Sequence, residues 1–206
     1  PALLERAARV GLPVCATYGL SEACSQVATQ STWRDTGVGR PLSGTTIRII
    51  DGRIAVASDT LFSGYLVNGA VEPVPRTTGF YVTGDLGALD DDGALHVLGR
   101  VSDLVITGGE NVMPAEVERA LCALEGVRDA VAFGVQDEVW GERLIAVVVP
   151  HEGVTLDPAA LRTSLMTELA RHKVPAAIHV ERALRLLPSG KVDRRGLASA
   201  YVASRD

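Results

Sequence analysis

The hydrophobic pattern changes near Arg100, and that change limits the folds open to this chain. Before it, short apolar runs alternate with tight turn signals. Thr46–Ile50 reads as a strand, Asp51-Gly52 as a hairpin turn and Arg53–Ala57 as the return strand. Phe80–Val82 and Ala94–Leu98 flank a second turn signal, Asp90-Asp91-Asp92-Gly93. Close turns between short strands predict a small antiparallel sheet or barrel. After Arg100 helical periods enter. Leu104–Ile106 is a short strand ended by Gly108-Gly109. Pro114 then opens a helix with Glu116 and Glu118 in its first turn. Val117, Leu121 and Leu124 share one face, and Gly126 stops the helix.

Two buried-type strands follow, Ala130–Val135 and Leu144–Val149. Asp157-Pro158 starts a second helix with Leu161, Leu165 and Leu169 on one face, running to Val174-Pro175. Ile178–Val180 is a last strand, and a polar loop, Pro188–Lys191, precedes a short terminal helix. The fold class is α+β: a β-rich part over residues 1–100 and a compact α+β part over 101–206.

Length and charge narrow the function classes. The 206 residues suffice for one domain or two small ones. Net charge is -5, and neither side of Arg100 has a basic surplus, which argues against nucleic acid as a partner. No apolar run is long enough to span a membrane, and no secretory leader pattern is present. The three cysteines, Cys15, Cys24 and Cys122, have neither disulfide-framework nor zinc spacing, so the expected compartment is the reducing cytoplasm. Lys173 and Lys191 are the only two lysines among 20 basic residues.

Four segments can carry chemistry, and each has a plainer reading beside it. Tyr18-Gly19-Leu20-Ser21-Glu22 joins an aromatic ring, a close-approach glycine, a hydroxyl and a carboxylate. That set can stack a base, bond a phosphate and hold Mg²⁺; it can equally be a turn before a helix capped by Ser21. In Tyr81-Val82-Thr83-Gly84-Asp85 the carboxylate can accept both hydroxyls of a ribose, or it can be a solvated turn residue. Gly99–Asn111 contains Arg100, small polar residues suited to a hinge, and the Gly108-Gly109 pair; the plainer reading is a linker and a hairpin. Pro188–Asp193 places Lys191 on a glycine-preceded mobile loop, able to neutralise developing phosphate charge, or simply exposed.

The order and spacing of these four segments resemble the C-terminal half of the adenylate-forming superfamily, over about Val14 to Leu197. Gly108–Asn111 and Asp137–Glu142 are most similar to the acyl-CoA synthetase branch. Ser21–Val27 looks like the o-succinylbenzoate–CoA ligases of menaquinone synthesis. The resemblance implies a ligase that makes an acyl-adenylate from ATP and a small-molecule carboxylate, then a thioester with CoA. It implies that Tyr18 stacks on adenine, that Gly19 belongs to the nucleotide site, that Ser21 contacts the phosphate, and that Glu22 holds Mg²⁺. Asp85 and Arg100 would bind ribose, and Lys191 would bridge carboxylate and α-phosphate oxygens in the first step only. Ser102 matches the hinge about which a small domain swings, bringing Gly108 and Gly109 to the pantetheine tunnel. Trp140 and Lys173 would touch the CoA nucleotide. On this reading residues 1–100 are the β-rich end of a large adenylation domain, and 101–206 are a mobile α+β lid. A homodimer is one assembly it allows.

One departure and one absence stand against it. The family's hinge is often Asp or Lys, and here it is Ser102. The family's Ser/Thr/Gly-rich phosphate loop does not occur, nor does a P-loop or a G-x-G-x-x-G motif. The expectation is therefore a piece of a longer enzyme, inactive alone. The alternatives are another fatty- or aryl-acyl-CoA ligase, a non-catalytic nucleotide-binding module, and a structural remnant without ligand.

Overall fold

The computed structural model describes residues 7–32 and 37–203. The chain divides into two compact units, Pro1–Ser102 and Asp103–Asp206.

In the first unit β1 (Thr17–Leu20) pairs antiparallel with β2 (Ser25–Thr29), and β3 (Arg40–Pro41) adds to β2. A single 3-10 turn, Ser21–Ala23, joins β1 to β2. The helix expected after Ser21 does not form, and the Ser21 side chain caps nothing: Leu20 holds the cap position and Cys24 leaves the turn at φ 61. β4 (Thr45–Ile50) and β5 (Arg53–Ser58) make the predicted hairpin, with Asp51 and Gly52 at φ 49 and 75. Two successive positive φ values define the turn whose twist suits a hairpin. Asn68 and Gly69 make the same kind of turn between β6 (Gly64–Val67) and β7 (Ala70–Pro73).

β8 (Tyr81–Leu89) and β9 (Leu95–Arg100) complete a four-stranded antiparallel sheet in the order β4-β5-β8-β9. In the turn between them Asp90 Oδ1 accepts the backbone N–H groups of Asp92 at 3.1 Å and Ala94 at 2.8 Å. Tyr18, Val27, Ala28, Ile54, Val56 and Leu95 form the core of this unit.

The second unit contains β10 (Val105–Thr107), β11 (Glu110–Val112), α1 (Pro114–Ala123), β12 (Val127–Asp137), β13 (Gly141–Pro150), α2 (Pro158–Glu168), β14 (Ala177–Val180) and α3 (Arg194–Ala203). Its five-stranded sheet runs β11-β10-β13-β12, with β14 parallel to β13. Side chains alternate between the two faces of a strand. On one face Ala132, Leu144, Ala146 and Val148 pack with Val117 and Leu121 of α1 and Leu161 and Leu165 of α2. On the other, Val131, Phe133, Val135, Ile145 and Val147 meet Val192, Leu197, Ala198 and Tyr201. Covering both faces explains the unbroken apolar run of β13.

Asp157 caps α2, its Oδ1 accepting the Ala159 N–H at 2.9 Å. α2 stops at Glu168, short of the expected Val174: Leu169 turns extended at ψ 149, and a separate 3-10 turn covers Arg171–Lys173. Leu169 still packs against the core as predicted. Among the described residues no helix is long and apolar enough to cross a membrane.

Candidate functional site

The first unit gathers two of the predicted motifs and the start of a third around one carboxylate. Asp85 faces Arg100 directly across the β8–β9 ladder. Its Oδ1 accepts from Arg100 Nε at 2.9 Å, and its Oδ2 accepts the Tyr18 hydroxyl at 2.6 Å. The Thr83 hydroxyl accepts the Asp85 N–H at 3.0 Å, which fixes the strand where the carboxylate leaves it. Asp85 is 7% exposed. It is thus a buried, clamped acceptor and not the solvated turn residue of the plainer reading. Two carboxylate oxygens offer about four acceptor sites, so two donors leave capacity for a diol.

Beside it runs a cleft of about 450 Å³ lined by Glu22, Tyr81, Thr83, Gly84, Asp85, Arg100 and Ser102, among others. Glu22 Oε1 accepts the Tyr65 hydroxyl at 2.9 Å, and the Tyr65 and Tyr81 hydroxyls lie 3.4 Å apart. Phe62 meets both tyrosine rings edge-on. Sequence reasoning missed Tyr65. Its signal was the Asn68-Gly69 turn, which brings Gly64–Val67 into a hairpin.

Tyr18 enters this site through its hydroxyl. The residue is 8% exposed and packs in the core of this unit. Gly19 has a local reason: a Cβ at that position would overlap the carbonyl of Ser25 on the paired strand.

Burial, and then the hydrogen bond to Asp85, push the Tyr18 phenol well above its ordinary value of 10.0. Burial, and then the Tyr65 hydroxyl, do the same for Tyr81. A raised phenol stabilises the fold fully below about pH 10, and that contribution is lost as pH climbs toward the folded-state value. Urea midpoints are therefore expected to fall as pH rises above about 10, and Tyr18→Phe should flatten the fall. An equal slope in wild type and Tyr18→Phe would contradict the assignment.

A metal site of several protein ligands is not what this cleft offers: among the described residues no group of three His, Cys, Asp or Glu could hold an ion. Glu22 is a single carboxylate beside a cleft. That fits Mg²⁺, which commonly takes one or two carboxylates and draws its other ligands from phosphates and water.

The second unit places the remaining predicted residues. Gly108 and Gly109, at φ 59 and 82, form the turn of the β10–β11 hairpin. The Gly108 N–H donates to the Trp140 carbonyl at 2.9 Å, and a Cβ on Gly108 would come within 2.8 Å of the Trp140 ring. Asp137 shapes the loop that carries Trp140: its Oδ1 accepts the N–H groups of Val139 at 3.1 Å and Trp140 at 3.0 Å, and its Oδ2 pairs with Arg143 at 2.6 Å. Trp140 is 54% exposed. It borders a groove of about 640 Å³ that also takes in Thr107, Glu110, Arg143, Arg162, Arg171 and His172. The three arginines and the histidine escaped sequence reading because they come from a strand, a helix and a 3-10 turn.

Lys173, expected at the CoA nucleotide, does not line this groove. Its Nζ donates to both carboxylate oxygens of Glu116 at 2.8 Å, tying the 3-10 turn to α1. Lys191 is exposed at the end of a hairpin turn, and the loop expected to be mobile is hydrogen-bonded: Gly190 N–H donates to Leu187 O at 2.9 Å, and Leu187 N–H to Lys191 O at 2.8 Å.

Residues 116–191 match the AMP-binding enzyme C-terminal domain. The 2-succinylbenzoate–CoA ligase of Bacillus licheniformis is 39% identical over 209 residues, covering 95% of this chain and 43% of that protein. The chain carries the AMP-binding enzyme C-terminal domain and is similar over nearly its whole length to part of a 2-succinylbenzoate–CoA ligase. Solved structures of adenylate-forming enzymes agree. ATP-bound MatB from Rhodopseudomonas palustris superposes with a TM-score of 0.82 at 33% identity, covering 91% of this chain and 40% of that one. The o-succinylbenzoate CoA synthetase MenE from Bacillus subtilis, in complex with the acyl-adenylate intermediate OSB-AMP, gives 0.78 at 35% identity, covering 95% and 43%. The chain thus spans less than half the length of the adenylate-forming relatives it matches.

Proposed function

We propose that this chain supplies the C-terminal part of an AMP-forming acyl-CoA ligase, with o-succinylbenzoate as the acid. The observation that carries the proposal is the Asp85 carboxylate, held by Tyr18 and Arg100 beside a cleft that also takes in Glu22. A clamped carboxylate with spare acceptor capacity suits a ribose diol, and a second carboxylate nearby suits the phosphates. The choice of acid rests on the names of the relatives.

In the first half-reaction a substrate carboxylate oxygen attacks the α-phosphorus of ATP. An oxygen–phosphorus bond forms and the bond to the pyrophosphate oxygen breaks. Asp85 and Arg100 orient the ribose. Mg²⁺, when bound, offsets phosphate charge. Glu22 would supply an oxygen ligand on the protein side, and the Tyr65 hydroxyl holds that carboxylate in place. Lys191 donates to the oxygens that gain charge as the phosphorus becomes pentacoordinate.

In the second half-reaction the CoA sulfur, having lost its proton, attacks the acyl carbon and AMP leaves. Residues 1–100 act in this reading as the β-rich end of the large adenylation domain, and 101–206 as a small mobile lid turning at Ser102. Gly108 lets the Trp140 ring approach, and Gly109, with open space where a Cβ would sit, leaves room for the pantetheine arm. The Trp140 groove, with its arginines, suits a phosphorylated nucleotide. The free cysteines fit work in a reducing compartment such as the cytoplasm.

The test is a graft. This chain replaces the matching C-terminal portion of the Bacillus licheniformis ligase, and pyrophosphate exchange and CoA-dependent thioester formation are measured. Both activities are expected from the graft, with AMP binding but no exchange from the isolated chain. A folded graft without exchange would overturn the ligase reading. Exchange by the isolated chain would overturn the division of labour between this part and the rest.

A further inference from the structure

The Lys191 side chain has no hydrogen-bond or ion-pair partner among the described residues, yet the backbone carrying it is held at three levels. At the tip, Pro188 and Gly190 take the second and fourth positions of a turn closed by Gly190 N–H on Leu187 O at 2.9 Å, with Gly190 at φ 79. One step down, Leu187 N–H donates to Lys191 O, and Leu186 bridges to Val192. At the base, Asp193 N–H donates to Arg185 O at 2.9 Å, and Arg185 Nε pairs with Asp193 Oδ2 at 3.0 Å.

The same Asp193 starts α3. Its Oδ1 accepts the Gly196 N–H at 2.9 Å, and its carbonyl accepts the Leu197 N–H at 3.0 Å. Gly196 makes this possible, because a Cβ there would overlap the Asp193 carboxylate. One carboxylate therefore joins the base of the Lys191 hairpin to the first turn of a helix rooted in the core through Leu197, Ala198 and Tyr201.

We infer that Asp193 and Arg185 are positioning residues for Lys191. The inference rests on the catalytic reading of Lys191 given above. The Arg185 side chain is 61% exposed, and an ion pair that open to solvent adds little stability. What it does add is direction: it sets the angle at which the hairpin leaves α3, and so where the amine two residues away can reach.

Arg185→Gln removes the pair and leaves the helix cap intact; Arg185→Lys keeps the charge. In the isolated chain, Arg185→Gln is expected to speed amide exchange at Leu187 and Gly190 and to loosen the Lys191 backbone on the nanosecond scale. The α3 amides and the urea midpoint should stay unchanged. Asp193→Asn, whose amide oxygen can still cap α3, should behave alike. In the grafted enzyme Arg185→Gln should lower kcat for pyrophosphate exchange about tenfold through misplacement of the amine. KM for ATP and thioester formation from supplied adenylate should hold, and Arg185→Lys should restore kcat.

Unchanged hairpin amides, or equal loss in both half-reactions, would overturn the inference. A Lys191→Ala graft that retains exchange would instead sink the catalytic reading of Lys191, while the amide-exchange result would still report on the hairpin.

Discussion

Lys191→Ala in the grafted enzyme is expected to lower pyrophosphate exchange by about 10²–10³-fold, the usual cost of removing one charge-stabilising donor. Thioester formation from a supplied acyl-adenylate should stay near the wild-type rate. The asymmetry follows from where charge develops. In the first half-reaction negative charge builds on the oxygens around a pentacoordinate phosphorus, and a compact ammonium placed against them lowers the barrier. In the second, the bonds that change are at the acyl carbon, and a lysine assigned to the phosphorus has no part. Lys191→Arg should recover exchange only in part, because a planar fork does not reproduce a point donor. The exposed turn that carries Lys191 makes the fold insensitive to the change, so a loss of rate cannot be traced to unfolding. Equal losses in both half-reactions would remove Lys191 from its assigned role.

What could be read in the sequence follows the range of the forces involved. The Asp51-Gly52 hairpin, the Pro114 helix and the Asp157 cap were all predicted, because each is decided within a few residues by turn chemistry, a missing N–H or a capping oxygen. The β6–β7 hairpin was equally local and was overlooked, although Asn68-Gly69 is a strong turn signal. β1 and β2 were not legible: they pair across the Ser21–Ala23 turn with a register shift at Tyr18 and Gly19, and no alternation announces them.

At the site, the order of the motifs was legible and their wiring was not. The Tyr18 hydroxyl bonds a carboxylate 67 residues away, and Lys173 is committed to one 57 residues away. Neither pairing leaves a mark on the local pattern. That is why the sequence reading, which has Tyr18 stack on adenine and Lys173 touch the CoA nucleotide, contains neither pairing. The basic groove beside Trp140 escaped for the same reason, since its arginines lie far apart along the chain.

Two substitutions at Asp85 are expected to separate folding from nucleotide binding. Asp85→Ala leaves the buried Tyr18 hydroxyl without its acceptor, which costs about 1–3 kcal/mol in a urea titration. It should also abolish calorimetric binding of AMP to the isolated chain. Asp85→Asn keeps the shape. Its amide oxygen can still accept from Arg100 and its NH₂ can donate to the Tyr18 oxygen, so stability should stay close to wild type. What the amide cannot do is offer a charged, four-site acceptor to two further hydroxyls. A hydrogen bond to a charged group contributes about 1.5–3 kcal/mol, so losing that charge should weaken AMP binding by about 10–100-fold. A 2′-deoxy nucleotide, which lacks one of the two hydroxyls, should lose affinity against the wild-type chain and little more against Asp85→Asn. If Asp85→Asn binds AMP as tightly as wild type, Asp85 is a structural clamp for Tyr18 and Arg100, and the ribose sits elsewhere in the cleft.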